Sequence, residues 1–84
     1  MAGFNDTIHQ SVRLRIMAAL VTLEAENEAD FTYLRDLLEV TDGNLGTHLR
    51  KLEDAGYIAV KKAFVDRKPR TFVTATAVGR QVFQ

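Results

Sequence analysis

The stretch Thr41–Gly56, TDGNLGTHLRKLEDAG, constrains this chain more than any other. It reads as one helix with both ends marked. Thr41 can cap the first turn, its hydroxyl accepting a backbone N–H that would otherwise stay unpaired. Gly56 supplies the left-handed residue that ends a helix without a Cβ penalty. Between them Leu45, Leu49 and Leu52 recur at the spacing of one helical face, which must be buried. The opposite face carries Gly43, Asn44, Thr47, Arg50, Lys51 and Asp54, with His48 on its flank. A helix with a leucine keel and a small, polar or basic outer face fits a DNA major groove, where base edges offer donors and acceptors. Taken alone, the same pattern also describes an ordinary solvated helix, so the flanking segments decide between the two.

Upstream, Phe31–Leu38 reads as a short helix, with Thr32 as the cap candidate, the helix proper over 32–38, and Tyr33, Leu34, Leu37 and Leu38 as anchors. Glu39 and Val40 then lead into the Thr41 helix, with Val40 packing in the turn. Two helices joined by a turn of about three or four residues have helix-turn-helix spacing. Further upstream a helix is expected over 11–25, preceded by a lead-in (1–10) in which Asn5, Asp6 or Ser11 provides the cap. It carries two apolar stripes, one with Val12, Ile16, Ala19, Leu20 and Leu23, the other with Leu14, Met17 and Val21. An amphipathic surface helix needs only one, so the second stripe is expected to meet a twin subunit. Glu24–Asp30, with four acids, reads as a solvated helix end and loop.

After Gly56 the apolar period changes to two. Tyr57–Val65 and Arg70–Ala75 are rich in β-branched and aromatic residues, and Asp66-Arg67-Lys68-Pro69 lies between them. Proline cannot donate to a sheet ladder and belongs at a tip or edge, so 57–75 reads as a β-hairpin. Lys61, Lys62, Arg67, Lys68 and Arg70 decorate it, opposed by Asp66 alone. Thr76 can cap a last short helix over 77–84, on which Val78, Val82 and Phe83 are apolar.

Composition enters through charge. The formal net charge of the 84 residues is +0, but it is unevenly spread. Residues 1–46 hold three basic and eight acidic side chains, a balance of −5, and residues 47–84 hold eight and three, a balance of +5. A bipolar molecule can offer one end to phosphates. Cysteine is absent, which excludes disulfides and thiolate metal ligands. No apolar run approaches the roughly 20 residues of a membrane span, and no secretory leader is visible, so a cytoplasmic location is expected.

The ordered set Arg13-Leu14-Arg15-Ile16-Met17-Ala18-Ala19-Leu20, Asp30-Phe31-Thr32-Tyr33-Leu34, Thr41-Asp42-Gly43-Asn44-Leu45, His48-Leu49-Arg50-Lys51-Leu52-Glu53, Ala55-Gly56-Tyr57-Ile58, Lys62–Thr71 and Thr76-Ala77-Val78-Gly79-Arg80 resembles the small winged-helix regulators related to the MarR and ArsR groups. The resemblance spans about Arg13 to Phe83. It implies an α+β, mainly α, winged helix-turn-helix fold: a three-helix core (11–25, 32–38, 41–55), a hairpin wing (57–75) and a short C-terminal helix (77–84), in one domain over 1–84. The implied function is a dimeric transcriptional regulator, usually a repressor, bound to operator DNA. ArsR metal sensors carry cysteine ligands, and this chain has none.

On that basis the interface candidates are Thr41, Asn44, Thr47, His48, Arg50 and Lys51 on the reading helix and Lys61, Lys62, Arg67, Lys68 and Arg70 on the wing. Asn44, Thr47 and Lys51 are expected at base edges, and Arg50 and His48 at phosphate. Gly43 and Gly46 each cost roughly 1 kcal/mol in a helix interior and fit a close approach by DNA, although a tight helix crossing explains Gly46 equally well. Leu14, Met17, Val21, Val82 and Phe83 are the candidate homodimer contacts. No metal, cofactor or membrane partner is expected, and no effector is indicated. A protein–protein module built on the same fold is the alternative. An enzyme is not expected, because His9 and His48, the two histidines, stand in no recognisable arrangement with a serine and a carboxylate.

Overall fold

The computed structural model describes residues 2–23 and 27–83, and over 2–10 it gives the helix path only. The elements in chain order are α1 (Ala2–Val21), β1 (Ala29–Asp30), α2 (Phe31–Leu38), α3 (Asp42–Asp54), β2 (Ile58–Val65), β3 (Lys68–Ala75) and α4 (Ala77–Val82). This is a winged helix: helices packed on a three-stranded antiparallel sheet of order β1-β3-β2.

Helix α1 starts at Ala2, so Asn5, Asp6 and Ser11 lie inside it and the expected lead-in is helical. It ends at Val21, short of the expected end at 25: Thr22 and Leu23 already turn out of the helix, the Leu23 amide donating to the Leu20 carbonyl (3.2 Å), and 24–26 lie outside the described residues. Its two apolar stripes have a different explanation from the one the sequence invites. Ile16, Met17 and Leu20 are all fully buried in the protomer's own core, so the helix is embraced on two sides. Met17 is therefore not available to a second subunit, and of its stripe Leu14, 56% exposed, is the residue left facing out. Val21 is half-buried against the core, and its carbonyl accepts from Arg80 Nη1 (3.3 Å), a cation at a helix C-terminus.

The acidic segment before α2 also departs from expectation. Ala29 and Asp30 pair with Val73 and Phe72 and add a third strand to the hairpin. Asp30, not Thr32, caps α2: its Oδ1 accepts from the Thr32 and Tyr33 amides at 2.7 and 3.4 Å. Carboxylate beats hydroxyl here because it stands one residue ahead of the helix, in extended backbone (φ −72°, ψ 141°). Of the four expected anchors of α2, Leu34 and Leu38 are buried and Tyr33 and Leu37 remain exposed; Phe31 packs half-buried against the core as well. Glu39, left-handed at φ 56°, ends α2 and turns the chain toward α3.

At the other end a threonine joins three elements. The Thr76 amide donates to the Tyr57 carbonyl (3.0 Å), its hydroxyl donates to the Gly56 carbonyl (2.7 Å), and the same oxygen accepts from the Gly79 amide (3.0 Å) to cap α4. Gly79 passes so close beneath that a Cβ there would land on the Tyr57 carbonyl oxygen. Phe83 then meets Tyr57 edge-on, ring centroids 5.2 Å apart. The C-terminal end of α3, the root of β2 and α4 are thus locked together.

Candidate nucleic-acid interface

Helix α3 is built as its sequence dictates. Thr41 Oγ1 accepts from the Asn44 amide (3.1 Å), and Gly56 (φ 84°) turns the chain after Ala55. Leu45, Leu49 and Leu52 are buried, whereas Thr41, Asn44, Arg50 and Lys51 are exposed and Thr47 is exposed at its hydroxyl. Thr47 donates that hydroxyl to the Gly43 carbonyl (3.0 Å), leaving its oxygen lone pairs outward.

His48 is the exception on this helix. It is 6% exposed, and its Nδ1 faces Arg13 Nε of α1 at 3.4 Å. Sequence spacing puts it on the flank of the polar face, but α1 closes over that flank. The expected phosphate contact is therefore corrected: His48 belongs to the α1–α3 packing.

Asp42 at the start of α3 is not a bare negative charge. Arg35 of α2 donates Nη1 to Asp42 (3.0 Å) and Nε to Asp36 (3.1 Å). Hydrogen bonding to Asp42, then to Asp36, raises the guanidinium pKa above its already high ordinary value, so Arg35 stays charged. The pairing ties the two helices together and offsets the charge of Asp42 at the start of the reading helix.

The wing is two-faced. Strands β2 and β3 pair from Ile58↔Ala75 to Val65↔Lys68, so the turn is Asp66-Arg67 alone; Lys68 and Pro69 belong to β3. Both turn residues have positive φ, 52° and 67°, as a two-residue hairpin matched to strand twist requires. Glycine and asparagine suit that geometry; arginine does not. Side chains alternate along each strand. Ile58, Val60, Lys62 and Phe64, with their partners Ala75, Val73, Thr71 and Pro69, project on the side of α3. Lys61, Phe72, Lys68 and Arg70 project on the other.

The five wing cations are therefore separated. Lys62 lines one cleft of about 290 Å3 with Arg50, Gly46 and Glu53 of α3. Arg67 stands at the tip and is exposed, as is Lys68. On the far face Arg70 Nη1 donates to Asp30 Oδ2 (2.9 Å), and Lys61 Nζ donates to Glu28 (3.2 Å) while lying 5.9 Å from the Phe72 ring centroid. Burial raises the Asp30 carboxyl, but the Thr32 and Tyr33 amides and the Arg70 guanidinium outweigh it, and its pKa lies below the ordinary value. Neither these acid partners nor the β1 strand, which carries Asp30 and follows Glu28, was legible in the sequence. Two residues give too short a strand for any period to show.

Neither Gly43 nor Gly46 is needed by the protein's own packing: a Cβ at either would meet nothing within 4 Å. The tight helix crossing considered for Gly46 does not exist. Elsewhere on the surface, Leu14 and Val82 are each 56% exposed and Val78 53%. An apolar groove of about 390 Å3 runs between α1 and the C-terminal half of α3, lined by Leu14, Leu52, Tyr57 and Phe83 together with the cations Arg13 and Lys51. Among the described residues no helix is long and apolar enough to cross a membrane.

A leucine-keeled reading helix, a preceding capped helix and a cationic ribbon beside them define a winged helix-turn-helix. A family profile described as "Winged helix DNA-binding domain" matches residues 12–84, and the chain belongs to that family. An uncharacterised protein of Methanocaldococcus jannaschii, MJ0432, is 40% identical over 73 residues, 87% of this chain and 76% of that one. The structure of a transcriptional regulator homologue from Pyrococcus horikoshii OT3 superposes with a TM-score of 0.75 at 31% identity, covering 99% of this chain and 84% of that chain. A MepR variant from a multidrug-resistant S. aureus clinical isolate shares the fold, with a TM-score of 0.76 at 16% identity over 87% of this chain and 51% of its own.

Proposed function

We propose that this chain is a sequence-specific regulator of transcription, a repressor that binds double-stranded operator DNA as a homodimer. The observation that carries the reading is the cleft that Arg50 of α3 and Lys62 of the wing line together, two cations from two elements against one acid, Glu53. Asn44, Thr47 and Lys51 then reach base edges in the major groove, and Arg50, Lys62, Arg67 and Lys68 hold phosphates, which position the protein without reading sequence. The uncovered glycines support this assignment, because their cost is recovered only when something outside the protein comes close. So does Arg67, held at φ 67°, where an arginine is strained. Lys61 and Arg70, paired on the far face, serve instead to hold the wing to β1 and the residue before it.

For the dimer, the exposed apolar side around Leu14, Val82 and half-buried Phe83 is the contact surface. A two-fold axis there sets the reading helices on half-sites about 34 Å apart. The relative described as a transcriptional regulator homologue supports the regulatory role. Selection of bound sequences from a random duplex pool tests the reading directly. Asn44→Ala should relax base preference, whereas Arg67→Ala should lower affinity for every duplex and flatten its salt dependence. Equal losses on selected and random DNA for both variants would overturn that division. Leu14→Glu with Val82→Glu should give monomers by sedimentation; an unchanged mass would remove the homodimer.

A further inference from the structure

Phe64 is 78% exposed, the most exposed large hydrophobic side chain among the described residues. It stands two residues from the turn, opposite Pro69. Next to a two-residue turn the closing pair, Val65↔Lys68, exchanges both backbone hydrogen bonds, so the Phe64↔Pro69 pair is of the non-bonded kind. In such pairs the Cα atoms approach to about 4.5 Å and the side chains pack against each other. The proline is tolerated for the same reason: its nitrogen points away from β2, and β1 reaches no further along β3 than Phe72. Phenylalanine and pyrrolidine rings thus stand side by side near the wing tip.

Their direction is fixed by the register. Phe64 and Pro69 lie on the sheet face shared with Val60 and Lys62, the α3 side. Lys62 shares their face two residues inward and Arg67 stands with Asp66 in the turn, whereas Lys68 projects from the opposite face and Pro69 also lines a cleft with Asp30 and Asp36. A protein partner would call for a broad apolar patch; here two rings stand by themselves near the tip, with Lys62 and Arg67 as the neighbouring cations. That combination fits a polyanion whose interior, between stacked bases, is apolar. We propose that the Phe64–Pro69 pair is a wedge that enters the minor groove flanking the segment under α3 and partly unstacks one base step. Side chains of this kind, inserted between base steps, kink duplexes toward the major groove. The groove is about 6 Å wide, room for ring edges but not for a whole ribbon. Lys62 on the same face and Arg67 in the turn hold the flanking phosphates, and flexible pyrimidine–purine steps such as TA are the cheapest to open. The wedge thereby adds selection at a position that α3 does not touch. This inference rests on the DNA-binding reading above.

The test uses the full chain and a duplex recovered from the random pool with wild-type protein. The duplex carries end labels for energy transfer and 2-aminopurine at the steps flanking the protected centre. Wild type should bring the ends closer and brighten the probe at one flanking step. Phe64→Ala should abolish both signals while binding ~10-fold more weakly, and Phe64→Leu, which keeps an apolar wedge, should restore part of each. Since Phe64 is exposed, both variants should melt with wild type. Bending and brightening by Phe64→Ala equal to wild type would overturn the wedge, as would tight wild-type binding without either signal. A fall in the sedimentation mass of DNA-free protein on Phe64→Ala would assign the side chain to a protein contact and overturn it too. Failure of the wild-type protein to retain any duplex would sink the regulator reading itself, a distinct result.

Discussion

Asp30 performs two tasks with two oxygens, and they can be separated by mutation. Oδ1 caps α2 through the Thr32 and Tyr33 amides, and Oδ2 accepts from Arg70 across the wing. The Asp30→Asn variant would keep the cap, since asparagine and aspartate cap about equally well, but would lose the ion pair. The Arg70 side chain is 53% exposed and that of Asp30 23%, so the pair is screened and worth ~0.2–1 kcal/mol. Asp30→Ala loses the cap as well, a further ~1 kcal/mol. For a domain of this size each kcal/mol moves Tm by roughly 4–8 °C. Asp30→Asn should therefore melt ~3 °C below wild type and Asp30→Ala ~9 °C below. Circular dichroism melts of both, with Arg70→Ala and the variant combining Asp30→Asn and Arg70→Ala, complete a cycle whose coupling should equal the pair's worth. Additive losses from the two single variants would refute the tie, and equal melting of Asp30→Asn and Asp30→Ala would refute the cap. Acid sharpens the test. The folded carboxyl titrates below its unfolded value near 3.8. Its contribution is thus fully present above that value and fades as pH falls through the folded pKa. The gap between wild type and Asp30→Asn should close over the same range.

Three further outcomes are expected. Gly46→Ala should stabilise the protein by ~0.5–1 kcal/mol in urea melts, because the added methyl meets nothing, yet weaken DNA binding; unchanged affinity would show that nothing approaches there. Arg67→Gly should likewise gain ~1 kcal/mol by relieving a positive φ while losing affinity and salt dependence in anisotropy titrations, and a loss of stability would contradict the strain. Gly79→Ala should cost ~3 kcal/mol or more, since the methyl would collide with a Tyr57 carbonyl already held by the Thr76 amide; a wild-type melting curve would mean that α4 is not docked as described.

The order of helices, the leucine keel of α3, its Thr41 and Gly56 ends and the hairpin that follows are local facts, written in periods of 3.6 and two, and the residues state them unaided. Their sum was enough to indicate the fold. What a period cannot express is what lies across from a residue. Met17 and His48 share their spacing with residues that face outward, and only the packing of α1 into the core and over α3 withdraws them. Asp30 and Arg70 are forty positions apart in the chain, and only the pairing of β1 with β3 brings them to 2.9 Å. The wing's five cations look equivalent in sequence. The register alone sends Lys62 toward α3 and Arg70 away from it, because a side chain's face depends on its count from a turn whose length only the folded hairpin fixes.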